Sequence, residues 1–399
     1  MNKKNILIAT NLNVWSIEKG VGAPSFYKTL ELYNNKNCNI YFYTTENDVD
    51  ISELKNIKTI KMPKLKSINI KYLSTLHRIF NYFLYQIIFI FYFFIKQKEE
   101  IDLLYGYEIE FIPSLHFLSK ILKKPLVSRY QGSILYPHLH KKFWKLRYFP
   151  HYFSIKQNSN LTIMTDDGTK GETVINEIRN KSNNILFLKN GIDFLKITNS
   201  DISKQAQNIS TSMKEYEFNF ISVSRLQEWK RVDRSIEVFE NFHSIHKSSR
   251  YIIVGEGNTK KGLENYVKNK KLQKNIIFTG GINAFDVNFL MSKSDVFLSH
   301  YQLSNLGNPL WEAMNNNCLI TTVNNGDTGK IIKDGTNGII SNENEYLNNS
   351  SKLIETMKDI NKVSMIIKNS KKTLTQNVKS WEQRLQIEYK EVYEYLKIE

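Results

Sequence analysis

In the last third of the chain, residues 304–314 read Ser304-Asn305-Leu306-Gly307-Asn308-Pro309-Leu310-Trp311-Glu312-Ala313-Met314. This segment follows an apolar, strand-like run at residues 295–299. Pro309 suits the first turn of a helix, and Leu310, Ala313 and Met314 recur at helical spacing. A small-residue turn that leads into a helix directs free backbone N–H groups and the positive end of the helix dipole towards an anion. Because Glu312 lies one turn further in, where a carboxylate reaches sugar hydroxyls, the segment predicts a site for a nucleoside diphosphate.

Similar transitions from strand to turn occur upstream. Apolar residues 220–224 lead to Arg225, and Lys230 stands before an amphipathic helix, so two fixed cations suit a diphosphate. A second run ends in Gly255-Glu256-Gly257, and a third, at residues 276–282, ends in a glycine turn before Ile282. Strands that alternate with helices predict a parallel sheet, which binds ligands at the carboxyl ends of its strands.

In this order the motifs resemble those of the large retaining glycosyltransferase family 4, or glycosyl transferases group 1, which has the two-domain GT-B fold. The matching positions are Arg225, Leu226, Lys230, Val254, Gly255, Gly257, Phe278, Gly280, Gly307, Pro309, Glu312 and Ala313. Residues 333–339 are similar to the family's Asp-Gly-x-Asn-Gly. The resemblance covers residues 215–345 well and the rest of the chain loosely.

The resemblance implies roles for these residues. Arg225 and Lys230 are expected to be the catalytic pair, which stabilises the departing diphosphate without a protein nucleophile or a metal ion and with retention of configuration. Glu312 is expected to hold the ribose, with Ile282 near the base. The expected contacts of the donor, a UDP- or GDP-linked sugar, are Gly20, Gly22, Gly257, Ile282, Ser304, Asn305, Leu306, Gly307, Asn308 and Glu312.

Three positions depart from the family pattern. Ser304 stands where the family has the first Glu of a spaced pair, residues 317–319 replace a Gly-x-Pro, and Gln131 stands where the family often has His. Ser304 and Gln131 are still able to hydrogen-bond a sugar, and Ser304 and Asn305 equally suit a role in capping the turn. The departures therefore leave the contacts of the donor sugar, and full activity, open.

The N-terminal half alternates strand-like and helical runs. Strands are predicted at residues 6–10, 39–44, 102–106, 125–128, 161–165 and 185–187, with a helix over 25–33. The chain is expected to cross between domains at residues 190–193, and the polar residues 198–214 are predicted to form a loop or linker. The fold class is therefore α/β, with two doubly wound, Rossmann-like domains facing a central cleft.

The predicted domains are residues 1–193, on the acceptor and membrane side, and residues 194–375, which bind the nucleotide sugar. By the resemblance, residues 376–399 form a helix that returns to the first domain. Glycines 20 and 22 form a loop that lets a phosphate or sugar approach, or else an ordinary turn. Glu108, Gln131 and Asp166 are the acceptor-site candidates; Asp166 or Asp167 would steer an acceptor hydroxyl or equally cap the next helix.

Composition narrows the partners. A chain of 399 residues fits two domains. Its net charge of +16 indicates binding partners that are anionic, such as nucleic acid, anionic lipid or phosphate-bearing substrates. The base composition of the coding sequence, which favours Lys, Asn and Ile, is an alternative explanation for part of this charge. With the motifs, the expected partners are a nucleotide sugar, a lipid-linked or oligosaccharide acceptor and the cytoplasmic membrane surface, but not nucleic acid. Two cysteines and an apolar run at 5–10 that is too short for a signal core favour a cytoplasmic protein, peripheral on the inner face of the cell membrane.

Residues 79–95 are uncharged and rich in phenylalanine. A membrane span needs about twenty apolar residues, and polar side chains such as Asn81 and Gln86 interrupt this run. The sequence favours a helix packed on the N-terminal sheet or lying at a bilayer surface, and a transmembrane helix is the alternative. Residues 140–149 interleave cations with aromatic rings, which suits a lipid headgroup layer or, equally, a solvated basic face.

Two other functions fit parts of the chain. A sugar-nucleotide epimerase of the same fold needs several carboxylates and a His around the sugar, a set that residues 304–314 lack, because they contain no His and Glu312 is their single carboxylate. A basic protein that binds membrane or nucleic acid without activity explains the charge but not the order of Arg225, Lys230 and Glu312. The sequence therefore favours a retaining transferase, with capsule, O-antigen or other surface polysaccharide assembly as the expected setting.

Overall fold

The computed structural model describes residues 3–14, 23–46, 51–65, 74–179, 184–193 and 198–396. The strands in these ranges are β1 Asn5–Thr10, β2 Asn39–Thr44, β3 Ile57–Lys61, β4 Leu103–Tyr107, β5 Leu126–Tyr130, β6 Leu161–Thr165, β7 Ile185–Leu188, β8 Phe218–Val223, β9 Ser249–Val254, β10 Ile276–Gly280, β11 Val296–Ser299, β12 Leu319–Asn324 and β13 Ile339–Asn342.

The α-helices in the same ranges are α1 Pro24–Asn35, α2 Ser74–Lys96, α3 Ile112–Leu122, α4 Trp144–Arg147, α5 Phe149–Lys156, α6 Gly171–Arg179, α7 Lys204–Met213, α8 Val232–Ile245, α9 Lys260–Asn269, α10 Ala284–Met291, α11 Asn308–Asn315, α12 Thr328–Ile331, α13 Asn348–Met357, α14 Ile360–Asn377 and α15 Trp381–Leu396. Short 3-10 helices lie at Tyr136–His138, Asn199–Asp201, Glu228–Lys230 and Glu343–Glu345.

The first sheet has seven parallel strands in the order β3-β2-β1-β4-β5-β6-β7. Its interior strand β1 has an apolar run at residues 6–9, and Ile6, Leu7 and Ile8 are fully buried. Parallel strands are covered by helices on both faces, so near-continuous apolar runs are what such strands require. The alternation of strand and helix read from the sequence is confirmed for this half.

The second sheet repeats the plan with six parallel strands in the order β10-β9-β8-β11-β12-β13. In both sheets the first strand, β1 or β8, lies in the interior; the next two strands are added on one side of it and the later strands on the other, so the strand order reverses between β1 and β4 and between β8 and β11. Ligands of such sheets bind at the carboxyl ends of the strands beside this reversal point. The prediction of two doubly wound, Rossmann-like domains is confirmed.

The last helix, α15, returns to the first sheet. Trp381, Leu385 and Val392 share a core with Phe26 and Leu30 of α1. The crossing between the domains is fixed to the start of this helix, because the Ile192 N–H donates to Lys379 O at 3.2 Å and the Trp381 N–H donates to Ile192 O at 3.3 Å. The boundaries at residues 193 and 375 stay predictions.

The helix α2 presents two unlike faces. One face packs on the first sheet through Phe89 and Phe93, and Tyr82 of the same helix is buried and donates a hydrogen bond to Ile109 O at 3.1 Å. The other is exposed along the whole helix, with large apolar residues spaced by three or four positions: Leu76, Phe80, Phe83, Ile87, Phe91 and Phe94. Within the described ranges, Thr75–Lys96 is the one helix whose length and composition would allow it to cross a membrane.

The prediction of a loop or linker over residues 198–214 is wrong for most of that segment. It contains the helix α7, which Ser203 caps by accepting a hydrogen bond from the Ala206 N–H at 3.2 Å. The segment is polar on average, but Ala206, Ile209 and Met213 lie on one face and are buried against the second sheet. Periodicity, rather than mean polarity, carries the helical signal here.

Candidate active site

The turn before α11 is held rigidly by its own side chains. Asn305 is buried; it accepts a hydrogen bond from the Tyr301 N–H at 3.1 Å and donates to Tyr301 O at 2.8 Å and to Asn325 Oδ1 at 2.8 Å. Ser304 has a φ of 60°, a left-handed conformation that is uncommon for residues other than glycine. Gly307 precedes α11 without any side-chain cap. Pro309 has no N–H, and the Leu310 N–H donates to Gly307 O at 3.1 Å, so in the first turn it is the Asn308 N–H that stays available to an anion.

The loop that carries Arg225 and Lys230 lies against the glycine turn after β9. The Leu226 N–H donates to Glu256 O at 2.8 Å, and the Thr259 N–H donates to Leu226 O at 3.1 Å. A Cβ atom on Gly255 would lie 1.8 Å from Ser224 O, and one on Gly257 would lie 2.1 Å from Leu226 O. Glycine is therefore needed at both positions because the two backbones touch, and Gly257, predicted as a donor contact, is in contact with the backbone of Leu226 in the loop between Arg225 and Lys230.

Lys230 is held between two aromatic rings. Its Nζ atom lies 4.2 Å from the ring centre of Trp229 and 4.0 Å from that of Tyr301, a cation–π arrangement. Burial lowers the pKa of Lys230 to about 7; the nearby Asp167 carboxylate opposes this shift, and the Arg225 charge adds to it. Arg225 itself is exposed. The second domain thus presents one exposed and one enclosed cation beside the turn before α11.

Glu312 lies on the first full turn of α11, next to the crossing between the domains. Burial and the Asp193 carboxylate raise the pKa of Glu312 to about 7. On the same side, Asn308 Nδ2 donates to Gly191 O at 3.0 Å. A poised, partly enclosed carboxylate at this place suits a pair of sugar hydroxyls, which donate hydrogen bonds to it.

The carboxyl edge of the first sheet supplies the opposite wall. Glu108, in a left-handed conformation with a φ of 65°, accepts a hydrogen bond from the Gln131 N–H at 2.5 Å. Burial raises the pKa of Glu108 to about 7, which Arg129 opposes and Asp167 reinforces. Asp166 pairs with Lys189. Two of the three acceptor candidates, Glu108 and Gln131, are therefore in direct contact, whereas Asp166 has its own ion partner.

Contacts between the two domains converge on the loop after β6. The Ser304 hydroxyl donates to Asp167 Oδ2 at 2.6 Å, and the Leu306 N–H donates to Asp167 O at 3.3 Å. The Asp327 N–H donates to Gly168 O at 3.1 Å. Sequence reasoning placed Asp167 in an acceptor wall or a helix cap, and no local signal revealed its bond across the cleft.

The other residues predicted to contact the donor differ in how far they are buried. Ile282 is half-buried and packs against the core of the second domain. The side chain of Leu306 is buried and would lie 3.1 Å from a Cβ on Gly168. Its N–H donates to Asp167 O and its carbonyl oxygen accepts from Trp311 Nε1 at 2.9 Å, so Leu306 holds the turn rather than presenting a free polar group to the donor. The predicted Gly20–Gly22 loop lies outside the described residues. Trp229, Tyr301 and Asp193, which shape the surroundings of Lys230 and Glu312, were not predicted.

Comparison with known proteins agrees with this geometry. Residues 203–373 match the family model "Glycosyl transferases group 1". The alpha-monoglucosyldiacylglycerol synthase of Acholeplasma laidlawii is 29% identical over 154 residues, which span 39% of this chain and 39% of that protein. The match thus covers about two fifths of the relative's length.

Solved structures match over nearly the whole chain. The crystal structure of HepE from Anabaena in complex with UDP-glucose has a TM-score of 0.72 at 17% identity and covers 98% of this chain and 99% of its own. WaaG, a glycosyltransferase involved in lipopolysaccharide biosynthesis, has a TM-score of 0.69 at 13% identity and covers 96% and 98%. The chain therefore has the GT-B fold, and its residues 203–373 are homologous to glycosyl transferases group 1.

Proposed function

We propose that this protein is a retaining glycosyltransferase that moves a sugar from a UDP- or GDP-linked donor to an acceptor hydroxyl. The observation that carries the proposal is the grouping of Lys230, Arg225 and the uncapped start of α11 around one end of the cleft. Negative charge grows on the diphosphate as the glycosidic bond breaks, and fixed cations and N–H groups stabilise that charge without reorganisation.

The other residues complete the mechanism. Glu312 holds the ribose, and Ile282 lies near the base. On the opposite wall Glu108, Gln131 and Asp166 orient the acceptor. In the proposed front-face reaction the acceptor oxygen bonds to the anomeric carbon on the face from which the diphosphate leaves, so the sugar keeps its anomeric configuration. The leaving phosphate takes the acceptor proton, and neither a protein nucleophile nor a metal ion is used. Within the described residues there is no group of three or more His, Cys, Asp or Glu placed to hold a metal.

A lipid-linked acceptor is supported by the exposed face of α2. Its apolar stripe includes Phe80, at 63% exposure, and Ile87, at 65%. The basic segment at 140–149 lies beside it, because Arg78 of α2 donates a hydrogen bond to Arg147 O. Apolar residues flanked by exposed cations such as Lys141 and Lys145 suit a helix lying in an anionic bilayer interface. The likeness to an alpha-monoglucosyldiacylglycerol synthase agrees with such an acceptor.

We also propose a place in the cell for the enzyme on the basis of this arrangement. The packed face of α2, with Gln86 donating to Glu110 O at 2.7 Å, ties the helix to the first domain, so we propose that it lies on the membrane rather than spanning it. The protein would be peripheral on the cytoplasmic face of the cell membrane. Its product would enter a surface polysaccharide such as capsule or O-antigen, a setting that the likeness to WaaG supports.

Titration calorimetry with UDP and GDP tests the proposal first. One of the two nucleotides is expected to bind, and a mass-spectrometric screen of sugar nucleotides with membrane extract is expected to give a product one sugar heavier than the acceptor. Nuclear magnetic resonance of the product should show the anomeric configuration of the donor. If neither nucleotide binds, the enzyme proposal is wrong; binding without transfer would instead support a membrane protein that has lost activity.

The membrane face is tested by the double substitution Ile87→Asp and Phe91→Asp. Burying each apolar side chain is worth about 1.5–3 kcal/mol, so the variant is expected to bind phosphatidylglycerol vesicles at least tenfold more weakly in a sedimentation assay. Ile245→Asp, at an equally exposed isoleucine on the second domain, is the matched control and should bind like the wild type. Equal binding by all three proteins would remove α2 from the membrane contact.

A further inference from the structure

The carboxylate of Asp167 lies where the two domains contact each other, and hydrogen bonds fix its position there. Its Oδ2 atom accepts from Ser304 at 2.6 Å, and its Oδ1 atom accepts from the Thr169 hydroxyl at 2.6 Å. On another side it lies against Gly132, where a Cβ atom would come within 2.6 Å of Oδ1. Two hydroxyls from different domains therefore fix both oxygens of one carboxylate.

The carboxylate is nonetheless able to accept more hydrogen bonds. Asp167 is only partly buried, and a carboxylate has about four acceptor positions, of which the two hydroxyls use two and the Thr169 N–H, at 3.3 Å, a third. Its charge also acts on Lys230, the enclosed cation of the proposed diphosphate site. A sugar attached to that diphosphate would therefore lie within reach of Asp167.

The second domain lacks a carboxylate at this place. Ser304 occupies the position at which the resembled family has the first Glu of its spaced pair, and its left-handed backbone directs the hydroxyl at Asp167. The bond joins residues 137 positions apart in the sequence. The second domain has Ser304 in place of a carboxylate, and the first domain supplies the Asp167 carboxylate at the same point.

We propose that Asp167 is a donor-sugar contact contributed by the first domain, and that Ser304 and Thr169 are positioning residues that hold its carboxylate against a sugar hydroxyl. This inference rests on the proposed function. It has a consequence for conformation, because the donor site is complete only while the loop after β6 touches the turn before α11. The sugar, and not the nucleotide alone, would then favour the closed arrangement of the two domains.

Calorimetry of Asp167→Asn with UDP-glucose and with UDP tests the inference. The amide keeps the shape of the side chain but loses a charge-assisted hydrogen bond, so UDP-glucose is expected to bind about tenfold more weakly while the affinity for UDP changes much less. GDP-mannose and GDP form a second pair of probes. Asp359→Asn, at an exposed helix cap where Asn serves as well as Asp, is the matched control and should leave both affinities unchanged.

An exchange of the two side chains separates a sugar contact from a merely structural role. Ser304→Glu alone places two carboxylates together and is expected to weaken UDP-glucose binding, whereas Asp167→Ser combined with Ser304→Glu should recover most of it. If Asp167→Asn weakens UDP and UDP-glucose equally, or changes neither, the inference is overturned. A wild-type protein that binds no nucleotide would overturn the proposed function itself, which is a different result.

Discussion

Replacing Lys230 by alanine is expected to lower kcat by about 10²–10³-fold while leaving the protein folded. Removal of a single preorganised group that stabilises developing negative charge has about this effect in other active sites. Lys230 is the enclosed cation of the site, held between Trp229 and Tyr301, and so acts with little screening by water. Steady-state kinetics would measure the loss, and circular dichroism would confirm the fold.

The matched control is Lys268→Ala, on an exposed position of α9. It removes the same charge and the same number of atoms, and is expected to leave kcat within twofold of the wild type. An equal loss in both variants would point to the general positive field of the domain. An unchanged kcat in Lys230→Ala would remove Lys230 from the catalytic pair.

The low pKa of Lys230 predicts a second measurable effect, the uptake of a proton when the nucleotide binds. With a pKa of about 7, set mainly by burial, the amine is largely neutral at pH 8 in the free protein. A bound diphosphate favours the charged form, so the nucleotide is expected to bind with uptake of a proton at that pH. Calorimetry in two buffers of different ionisation enthalpy measures the uptake.

Lys230→Arg serves as the reference for that measurement, because its guanidinium stays charged at every pH used. Proton uptake by Glu312, whose pKa is also raised to about 7, would persist in this variant, so the difference between the two proteins belongs to Lys230. Identical uptake in both would show that Lys230 is already charged before the nucleotide binds.

The strands of the core could be read from sequence because burial on both faces demands uninterrupted apolar runs. Residues 39–44 and 161–165 were predicted with the bounds that the structure gives to β2 and β6. The edge strand β3 was not predicted, since Lys58 and Lys61 interrupt its short apolar run. A strand at the edge of a sheet needs little apolar sequence and leaves a weak signal.

The candidate site was predictable where one local segment carries it. Arg225, Lys230 and Glu312 each lie on a strand-turn-helix unit whose pattern is visible in the sequence. The bond between Ser304 and Asp167 was not predictable, because it depends on how two separately folded sheets face each other. Sequence patterns describe each sheet edge, and only the tertiary structure shows which side chains meet across the cleft.

Loss of the Glu388 carboxylate is expected to cost about 3–5 kcal/mol of folding free energy, the usual effect of removing one partner from a buried ion pair. Glu388 lies on α15 and is fully buried; it accepts hydrogen bonds from Arg129 of β5, from Arg384 and, at 2.5 Å, from the Tyr105 hydroxyl. Glu388→Ala would leave two buried guanidinium groups without their common anion.

Urea unfolding of Glu388→Ala against Glu394→Ala measures this effect. Glu394 is an exposed residue of the same helix, and its loss is expected to change stability by at most about 0.5 kcal/mol. Equal costs for the two variants would mean that α15 is held by its apolar face alone, through Trp381, Leu385 and Val392.

The Glu388 carboxylate also makes the free energy of unfolding depend on pH. Burial alone would raise the pKa of Glu388, but the charges of Arg129 and Arg384 hold it at about 2. Because an unfolded Glu titrates near 4.3, the stabilisation is complete above about pH 5 and is lost as the pH falls from there towards 2. Glu388→Gln carries no such proton equilibrium, so its stability should fall less than that of the wild type over this interval. If the two proteins lose stability in parallel, other carboxylates control acid unfolding, and α15 is not held to the first sheet by this charge.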